Sequence, residues 1–431
     1  MDDLPKSIEQ DLTKSDIVEV SDWVKSSLEK ARELVSYPHE KTLANELIQQ
    51  AFQAAANKGC PIGISLAAAF DLFVAAEYYK SVAHKGWYYC PAGEPALFYP
   101  FTNTCPRCIL KGDFYYEMAN KPGSGLIGQA TARLLSVFLE QLFIRTNRRL
   151  RIYRGVEPID MLIFDELQNI VLLAEIKAAP LTTLALVVKS EKLTESVEGE
   201  TMDVDAHSRS DNPFLSLSEI YMFLPIKQHE TYRYRLIGLG TKDALSDSTW
   251  AYKSIEHALQ NGPTFFHEYL DFWMEAFDAY KINNRTGSNA FWFTNACGQP
   301  NPRPSQWPRR RLGEGYESVS DAKTSVGMDR TDDIKKGIYQ VLKIGAESKP
   351  NKSVFVVRTA LISNIHAVRH YHEYLASLED IVWTLDKSRK AQKVEDLAPK
   401  TDVYSLFDGI ISFTESSIRD EWIAENFSFS L

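Results

Sequence analysis

The stretch Pro158–Lys177 reads PIDMLIFDELQNIVLLAEIK, and it carries the strongest structural signal in the chain. Two runs within it, Met161–Phe164 and Ile170–Ile176, are apolar and predict β-strands. The polar residues Asp165–Asn169 between them predict a short turn. We therefore expect an antiparallel hairpin whose strands lie inside a buried sheet.

Three charged residues stand at the ends of this hairpin. Glu175 and Lys177 are two positions apart, so they lie on one face at the end of the second strand. Asp160 opens the first strand, and a short turn brings it to the same end. Carboxylate oxygens suit Mg²⁺, and a lysine beside them can orient or deprotonate water and balance developing phosphate charge. The pattern indicates metal-assisted phosphodiester hydrolysis.

Pro158–Asp160 and Glu175–Lys177 resemble the two sequence elements of the PD-(D/E)XK nuclease superfamily, which includes most type II restriction endonucleases. The first element departs from the pattern by one inserted residue, Ile159. The resemblance implies a Mg²⁺-dependent endonuclease that hydrolyses double-stranded DNA at a specific sequence. It also implies a homodimer, because a two-fold DNA site matches a two-fold protein.

The same resemblance implies a role for each residue at the end of the hairpin. Asp160 and Glu175 would be the catalytic carboxylates that hold the Mg²⁺, with the carbonyl oxygen of Ile176 as a further ligand. Lys177 would be the catalytic base or orienting group that positions the attacking water.

The order of elements around the hairpin fits this superfamily. Ser124–Ile144 has helical spacing, and Leu150–Arg154 predicts a strand that leads into the hairpin. Further along, Thr331 can cap a helix at Asp332–Ile344, and Ser353–Ile362 predicts another strand. We expect fold class α/β (α+β), with a mixed β-sheet nuclease core flanked by helices.

The chain divides into five predicted segments. They are a helical N-terminal region (1–86), a cysteine-containing loop module (87–119), the first part of the nuclease core (120–190), an insertion expected to recognise DNA (191–320), and the second part of the core with the C-terminal region (321–431). Residues 189–212, which are acidic and Ser-rich, are expected to form an exposed loop. A helix is expected at Ser363–Leu378.

Three cysteines fall in the expected loop module. Cys105 and Cys108 have C-x₂-C spacing, and Cys90 lies upstream of them. Thiolates with this spacing in a loop-rich segment predict a structural Zn²⁺ site. The alternative is that the protein simply buries them as small apolar side chains. The candidates for a fourth ligand are His84, Cys60 and Cys297.

Two stretches concentrate arginine without acids, although the chain has a net charge of −9. Residues 145–154 (RTNRRLRIYR) hold five arginines, and residues 301–312 (NPRPSQWPRRRL) hold four. Such patches can contact phosphates, and arginine pairs well with guanine. The alternative is a solvated surface. The predicted DNA contacts are Arg309, Arg310, Arg311, Lys323 and Arg330.

A rival centre exists at Asp321 and Lys323, where an acid-x-Lys pattern precedes a predicted helix. Its polar flanks offer no apolar strand led by an aspartate, so the hairpin is the better candidate. Gln129 and Glu140 lie on the predicted helix ahead of the hairpin. Members of the superfamily often carry an acid there that supports the metal.

Composition excludes several classes of protein. The 44% apolar and 24% charged content is ordinary for a globular chain. Ile62–Tyr79 is the most apolar stretch, but Asp71 and Glu77 within it favour a buried helix over a membrane span. The acidic N-terminus does not resemble a signal peptide, and five irregularly spaced cysteines fit a reducing cytoplasm. No phosphate-binding loop motif occurs, so we expect no nucleotide cofactor.

Two other functions remain open from the sequence. One is a repair or recombination nuclease that recognises DNA structure rather than sequence. The other is a non-catalytic module that binds nucleic acid or protein. A binding module would leave plasmid DNA intact in Mg²⁺, so cleavage separates it from the nucleases.

Overall fold

A computed structural model of the chain describes residues 22–82, 86–112, 119–192, 194–197, 200–203, 209–210, 219–241, 245–282, 288–296, 326–348, 356–379, 381–384, 391–401, 403–405 and 407–429. Within these residues the protein is α+β. It has a seven-stranded mixed sheet, a six-stranded antiparallel sheet and two smaller sheets. The expectation of a mixed sheet flanked by helices is confirmed.

The described helices are α1 (Asp22–Lys30), α2 (Pro38–Lys58), α3 (Ile62–Lys80), α4 (Pro106–Ile109), α5 (Ser124–Arg145), α6 (Trp250–Asn261), α7 (Phe265–Lys281), α8 (Thr331–Ser348), α9 (Tyr371–Tyr374), α10 (Ala376–Glu379) and α11 (Glu421–Phe427). A 3₁₀ helix spans Asn289–Phe293. The described strands are β1 (Arg32–Glu33), β2 (Trp87–Cys90), β3 (Ala96–Tyr99), β4 (Leu150–Arg154), β5 (Met161–Asp165), β6 (Ile170–Ile176), β7 (Leu186–Lys189), β8 (Thr194–Val197), β9 (Glu200–Asp203), β10 (Arg209–Ser210), β11 (Glu219–Gln228), β12 (Thr231–Thr241), β13 (Val356–Ile362), β14 (Ile381–Thr384), β15 (Ala391–Lys393), β16 (Val403–Tyr404), β17 (Gly409–Ile411) and β18 (Ser417–Ile418).

The predicted hairpin is the centre of the seven-stranded sheet. Strands β4, β5 and β6 form an antiparallel meander in the sheet order β1-β4-β5-β6-β13-β17-β18. The β5–β6 turn follows from its sequence, because the Asp165 carboxylate accepts hydrogen bonds from the amides of Leu167 and Gln168. Asn169 closes the turn in the left-handed conformation, which asparagine tolerates better than most residues.

Helix α8 precedes β13, a strand that pairs in parallel with the second strand of the hairpin. β13 pairs in parallel with β6, so that Ile362 lies opposite Ile176. Because the two strands run in the same direction, α8 starts at the end of the sheet where β6 finishes. Leu173 of β6 packs with Ile344 of α8 on one face. Helix α5 covers the other face, where its Phe138 shares a core with Met161.

The second sheet joins segments that are far apart in the sequence. Its strand order is β10-β2-β3-β7-β11-β12. Helices α2, α3, α6 and α7 pack together beside it. Among the described residues, α3 is the one helix long and apolar enough to cross a membrane, and 83% of its apolar window is buried inside the protein.

The structure differs from three expectations about loops. Residues 87–119 were expected to be irregular, but β2 and β3 within them are fully buried strands of the second sheet. β11 and β12 belong to that same sheet, so much of the expected insertion (191–320) shares a core with the N-terminal helices. The described parts of 189–212 include β8, β9 and β10. The apolar side chains of β2, β3 and β11 gain partners that a local reading could not identify.

The prediction of a helix at Ser363–Leu378 was also wrong. The chain after β13 is a buried loop, followed only by the short helices α9 and α10. Ser363 Oγ donates to the carbonyl of Ile365, and Asn364 bonds to the loop that follows β6. These local polar contacts satisfy the backbone in a non-helical path.

Candidate active site

Asp160 is fixed across the end of the hairpin. Its amide donates to the carbonyl of Ala174 at 3.0 Å, and its Oδ2 accepts from the amide of Ile176 at 2.9 Å. Gly155 makes this approach possible, because a Cβ at that position would lie 2.2 Å from the carbonyl oxygen of Ile159. One Asp160 oxygen, Oδ2, is thus tied to the backbone of β6.

Glu175 and Lys177 emerge on the same face, as their spacing predicts. The Lys177 ammonium donates to Glu175 Oε1 and lies 3.4 Å from the carbonyl oxygen of Ile176. The Glu175 side chain is 7% exposed, and the Lys177 side chain is 22% exposed. The backbone of Lys177 is held by a 3.0 Å hydrogen bond to the carbonyl of Ile362. The lysine side chain is thus partly exposed while its backbone is fixed.

The two carboxylates repel one another. Burial, and next the negative charge of Asp160, raise the pKa of Glu175 to about 7, although the Lys177 ammonium opposes the rise. A bound divalent cation would relieve this repulsion and favour the ionised form. Hard oxygen donors are also what Mg²⁺ prefers. The donor set of Asp160 Oδ1, Glu175 Oε2 and the Ile176 carbonyl therefore fits such an ion.

Three residues outside the motif position the end of β6, and sequence reasoning did not identify them. Gly337 of α8 lets the helix lie against Lys177, because a Cβ there would be 3.3 Å from Lys177 Cγ. Thr131 Oγ1 of α5 donates to the carbonyl of Ala178 at 2.9 Å. The Asn364 side chain bonds to both the amide and the carbonyl of Ala179. None of these residues follows a recognisable spacing, since they come from three separate elements.

Basic groups lie at the same end of the sheet. Asp329 accepts hydrogen bonds from the amides of Arg369 and His370, which ties the start of α8 to the segment after β13. Arg330 follows directly, and its side chain is 26% exposed. Its guanidinium is 3.9 Å from the carboxylate of Asp333, at the outer limit of an ion pair. Asp332 lies at the same distance, so Arg330 stands at the start of α8 with two carboxylates, each 3.9 Å from its guanidinium.

The other predicted contacts cannot be placed. Arg309, Arg310, Arg311 and Lys323 lie outside the described residues, as does the rival centre at Asp321 and Lys323.

The two supporting candidates on α5 do not contact the carboxylate pair. Gln129 is exposed, and Glu140 lies 4.0 Å from Lys41 on α2.

The three cysteines of the expected loop module come together. The sulfur atoms of Cys90, Cys105 and Cys108 lie within 4.8 Å of one another, and all three residues are buried. Burial raises the pKa of Cys105 to about 12, and hydrogen bonds among the thiols together with burial raise the pKa of Cys108. The cluster could hold a metal ion such as zinc, which would displace the thiol protons.

The described residues supply no fourth ligand at this cluster. Within the described part of the chain, no other His, Cys, Asp or Glu joins the group, and Cys60 is not a member. The other candidates, His84 and Cys297, lie outside the described residues.

Neither a protein-family model, nor a curated protein, nor a solved structure matches this chain. The geometry of its sites is accordingly the basis for assigning a function.

Proposed function

We propose that this protein is a Mg²⁺-dependent endonuclease that cleaves double-stranded DNA, as a type II restriction enzyme does. The observation that carries the proposal is the convergence of Asp160, Glu175 and Lys177 at one end of a buried hairpin. The surrounding topology supports it. A helix and an antiparallel meander are followed by a crossing helix and a strand parallel to β6, which is the element order expected from the resemblance to the PD-(D/E)XK superfamily.

Each residue has a role that follows from its contacts. Asp160 and Glu175 would hold Mg²⁺ through Asp160 Oδ1 and Glu175 Oε2. The ion, when bound, supplies a positive charge that stabilises the developing charge on the phosphate. Lys177 remains accessible while its backbone is fixed, so its ammonium can hold a water molecule in line with the scissile phosphate. Reacting groups that are already held in position lower the entropic part of the activation barrier.

Substrate binding would use the positive groups at the start of α8. Arg330 lies at the start of α8, where the amide groups of the first turn also favour negative charge. A phosphate flanking the scissile bond would meet both. A homodimer would place two such sites on the two strands of a palindromic duplex.

Cleavage of plasmid DNA tests the proposal. Wild-type protein should convert supercoiled plasmid into defined linear fragments with Mg²⁺ and should be inert with EDTA. Asp160→Asn, Glu175→Gln and Lys177→Met should each lower the rate by at least about a thousandfold, since they remove groups that act on the transition state. Each variant should keep its DNA affinity in Ca²⁺.

Glu166→Gln is the matched control. Glu166 is an exposed carboxylate at the opposite end of the same hairpin, paired with Arg151. Its loss should leave cleavage unchanged. Wild-type protein that binds DNA but never cuts it would establish a non-catalytic binding module instead. Cleavage at the branch points of branched substrates, whatever their sequence, would establish a structure-specific nuclease.

We also propose that the cysteine cluster holds Zn²⁺ in a structural role. Two sulfurs of a tetrahedral zinc centre with bonds of about 2.3 Å are separated by about 3.8 Å, and Cys90 Sγ and Cys108 Sγ are 3.6 Å apart. The cluster is buried, which favours a structural role. Metal analysis of protein purified without chelator should find close to one zinc per chain. Cys105→Ser should lose the metal, whereas Asp160→Asn should keep it.

A further inference from the structure

Arg107 is a buried cation inside the cysteine cluster. It lies between Cys105 and Cys108 in the sequence, and the residue is only 5% exposed. Its Nη1 donates to the carbonyl oxygens of Cys90, Ala92 and Glu94. Its Nε is buried and has no hydrogen-bond partner.

No carboxylate compensates this charge within the described residues. All the ion pairs found there involve other side chains, and none includes Arg107. The guanidinium carbon lies 5.2 Å from the ring centre of Phe98 and 5.9 Å from that of Tyr234. Aromatic faces attract a cation, but they add no net negative charge. A buried cation that is compensated only by carbonyls and rings is costly.

Cys105 and Cys108, which flank Arg107 in the sequence, and Cys90, whose carbonyl oxygen lies 3.4 Å from Arg107 Nη1, can supply the missing charge as thiolates. Three thiolates around one divalent cation have a net charge of −1, because three negative charges meet two positive ones. Metal binding would form three metal–sulfur bonds and release three protons to solvent, without any change of oxidation state. The net charge of this centre is equal and opposite to that of Arg107. A neutral fourth ligand would leave the balance unchanged.

We infer that Arg107 is the counter-charge of a three-thiolate zinc centre at Cys90, Cys105 and Cys108. The inference rests on the zinc proposal above and is independent of the nuclease proposal. Arg107 is a positioning residue: it does not bind the metal, but it stabilises the anionic state of the ligands and anchors the loop after β2. Partners of this kind typically change metal affinity by about 10- to 100-fold.

Arg107→Gln removes the positive charge from this position, and Arg107→Lys keeps it. Comparing the two variants shows whether the charge itself affects zinc binding. Zinc affinity is measured by competition with a chromophoric chelator, and the melting temperature is measured for zinc-loaded and zinc-free protein. We expect Arg107→Gln to weaken zinc binding by about 10- to 100-fold. It should lower the melting temperature of the loaded protein more than that of the zinc-free protein, in which the buried charge has no anionic partner. Arg107→Lys should keep most of the affinity.

Arg148→Gln is the matched control. Arg148 is also partly buried and donates to a backbone carbonyl, that of Asn426, at a position on the seven-stranded sheet side of the protein. Arg148→Gln should lower the melting temperature of zinc-loaded and zinc-free protein equally, and it should leave zinc affinity unchanged. If Arg107→Gln does not fold, Arg107→Met replaces it, because methionine keeps an apolar stem between the two rings.

The outcomes separate the two proposals. The inference is overturned if Arg107→Gln leaves zinc affinity unchanged and lowers the melting temperature of zinc-loaded and zinc-free protein equally. Arg107 would then be an ordinary structural hydrogen-bond donor. Wild-type protein that takes up neither Zn²⁺ nor Co²⁺ would overturn the zinc proposal together with this inference. Plasmid cleavage by the same preparation reports on the nuclease proposal in either case.

Discussion

The side chain of Asn364 bonds to both backbone groups of Ala179. Asn364 Oδ1 accepts from the Ala179 amide at 3.1 Å, and Asn364 Nδ2 donates to the Ala179 carbonyl at 2.8 Å. Ala179 lies two residues beyond Lys177, so this pair fixes the chain directly after the candidate active site. Asn364 itself follows β13, the strand that pairs with β6. The two strands are therefore joined at their ends by side-chain bonds as well as by the sheet.

Asn364→Ala should lower both stability and activity. The substitution leaves the buried amide of Ala179 without its partner, whereas the Ala179 carbonyl keeps the hydrogen bond from the amide of Gly327. We expect a cost of about 1–3 kcal/mol in the free energy of unfolding. Urea denaturation checks the stability, and cleavage rates of the folded fraction check the positioning of Lys177. Asn426→Ala, which removes a half-buried amide bonded to Trp422, is the control. Asn426→Ala should lower stability without changing the cleavage rate per folded molecule. If Asn364→Ala also leaves this rate unchanged, Asn364 does not position Lys177.

Gly337→Ala should lower activity more than stability. Alanine favours a helix over glycine by about 1 kcal/mol, but its Cβ would lie 3.0 Å from Leu361 Cδ1 and 3.3 Å from Lys177 Cγ. The lysine stem must therefore move, and we expect the cleavage rate to fall about tenfold while the melting temperature stays near that of wild type. Gly128→Ala in α5 is the control, because its Cβ would meet nothing. It should raise the melting temperature slightly and leave cleavage unchanged.

The sequence predicts the sheet around the hairpin well, for a local physical reason. β4, β5 and β6 are consecutive, so two continuous apolar runs and the polar turn between them indicate the β5–β6 pairing without knowledge of distant partners. Leu150–Arg154 and Ile170–Ile176 are strands within the predicted bounds. The convergence of Asp160, Glu175 and Lys177 follows from the same local geometry.

The second sheet could not be predicted in this way. β2 and β3 are short aromatic strands whose partner β7 lies far along the chain, and nothing local distinguishes them from a loop. Gly337 and Asn364 were missed for a similar reason. Their roles depend on which element packs beside Lys177, and no spacing within one segment encodes that contact. Arg107 was missed because the absence of an acidic partner is visible only in three dimensions.

Titration of Glu175 should be visible in the stability of the metal-free protein. Its pKa of about 7 in the folded protein exceeds the value of about 4.3 in an unfolded chain. The neutral form therefore contributes stability that is complete below about pH 4 and is lost as the pH rises through 7. Glu175→Gln should match wild type near pH 5 and exceed it by up to about 3 kcal/mol at pH 8.5.

Mg²⁺ should reverse this behaviour, because the ion favours the ionised carboxylate. Calorimetry should find an affinity for Mg²⁺ that rises between pH 6 and pH 8, together with release of a proton. Glu166→Gln serves as the control for the stability curve, since Glu166 is half-exposed on the turn. A constant difference between wild type and Glu175→Gln across this range of pH would contradict the assignment of a raised pKa.

Asp71 should make a second, independent contribution to the pH dependence of stability. It is fully buried in α3, and burial raises its pKa to about 8, although hydrogen bonds from the amide of Thr182 and from Trp273 Nε1 oppose the rise. The folded pKa again exceeds the unfolded value, so stability is lost as the pH rises through 8.

Asp71→Asn removes this titration while it keeps the size of the side chain. At pH 6 the variant should be less stable by about 1–2 kcal/mol, because its amide group faces the Nδ2 donor of Asn364, which lies 3.4 Å from Asp71 Oδ1. At pH 9.5 the deficit should shrink or reverse, because the wild-type carboxylate is then ionised in a buried site. Asp278→Asn, at an exposed position on α7, should give a curve parallel to that of wild type. A deficit for Asp71→Asn that stays constant from pH 6 to pH 9.5 would mean that Asp71 is already ionised at pH 6, stabilised by its three donors.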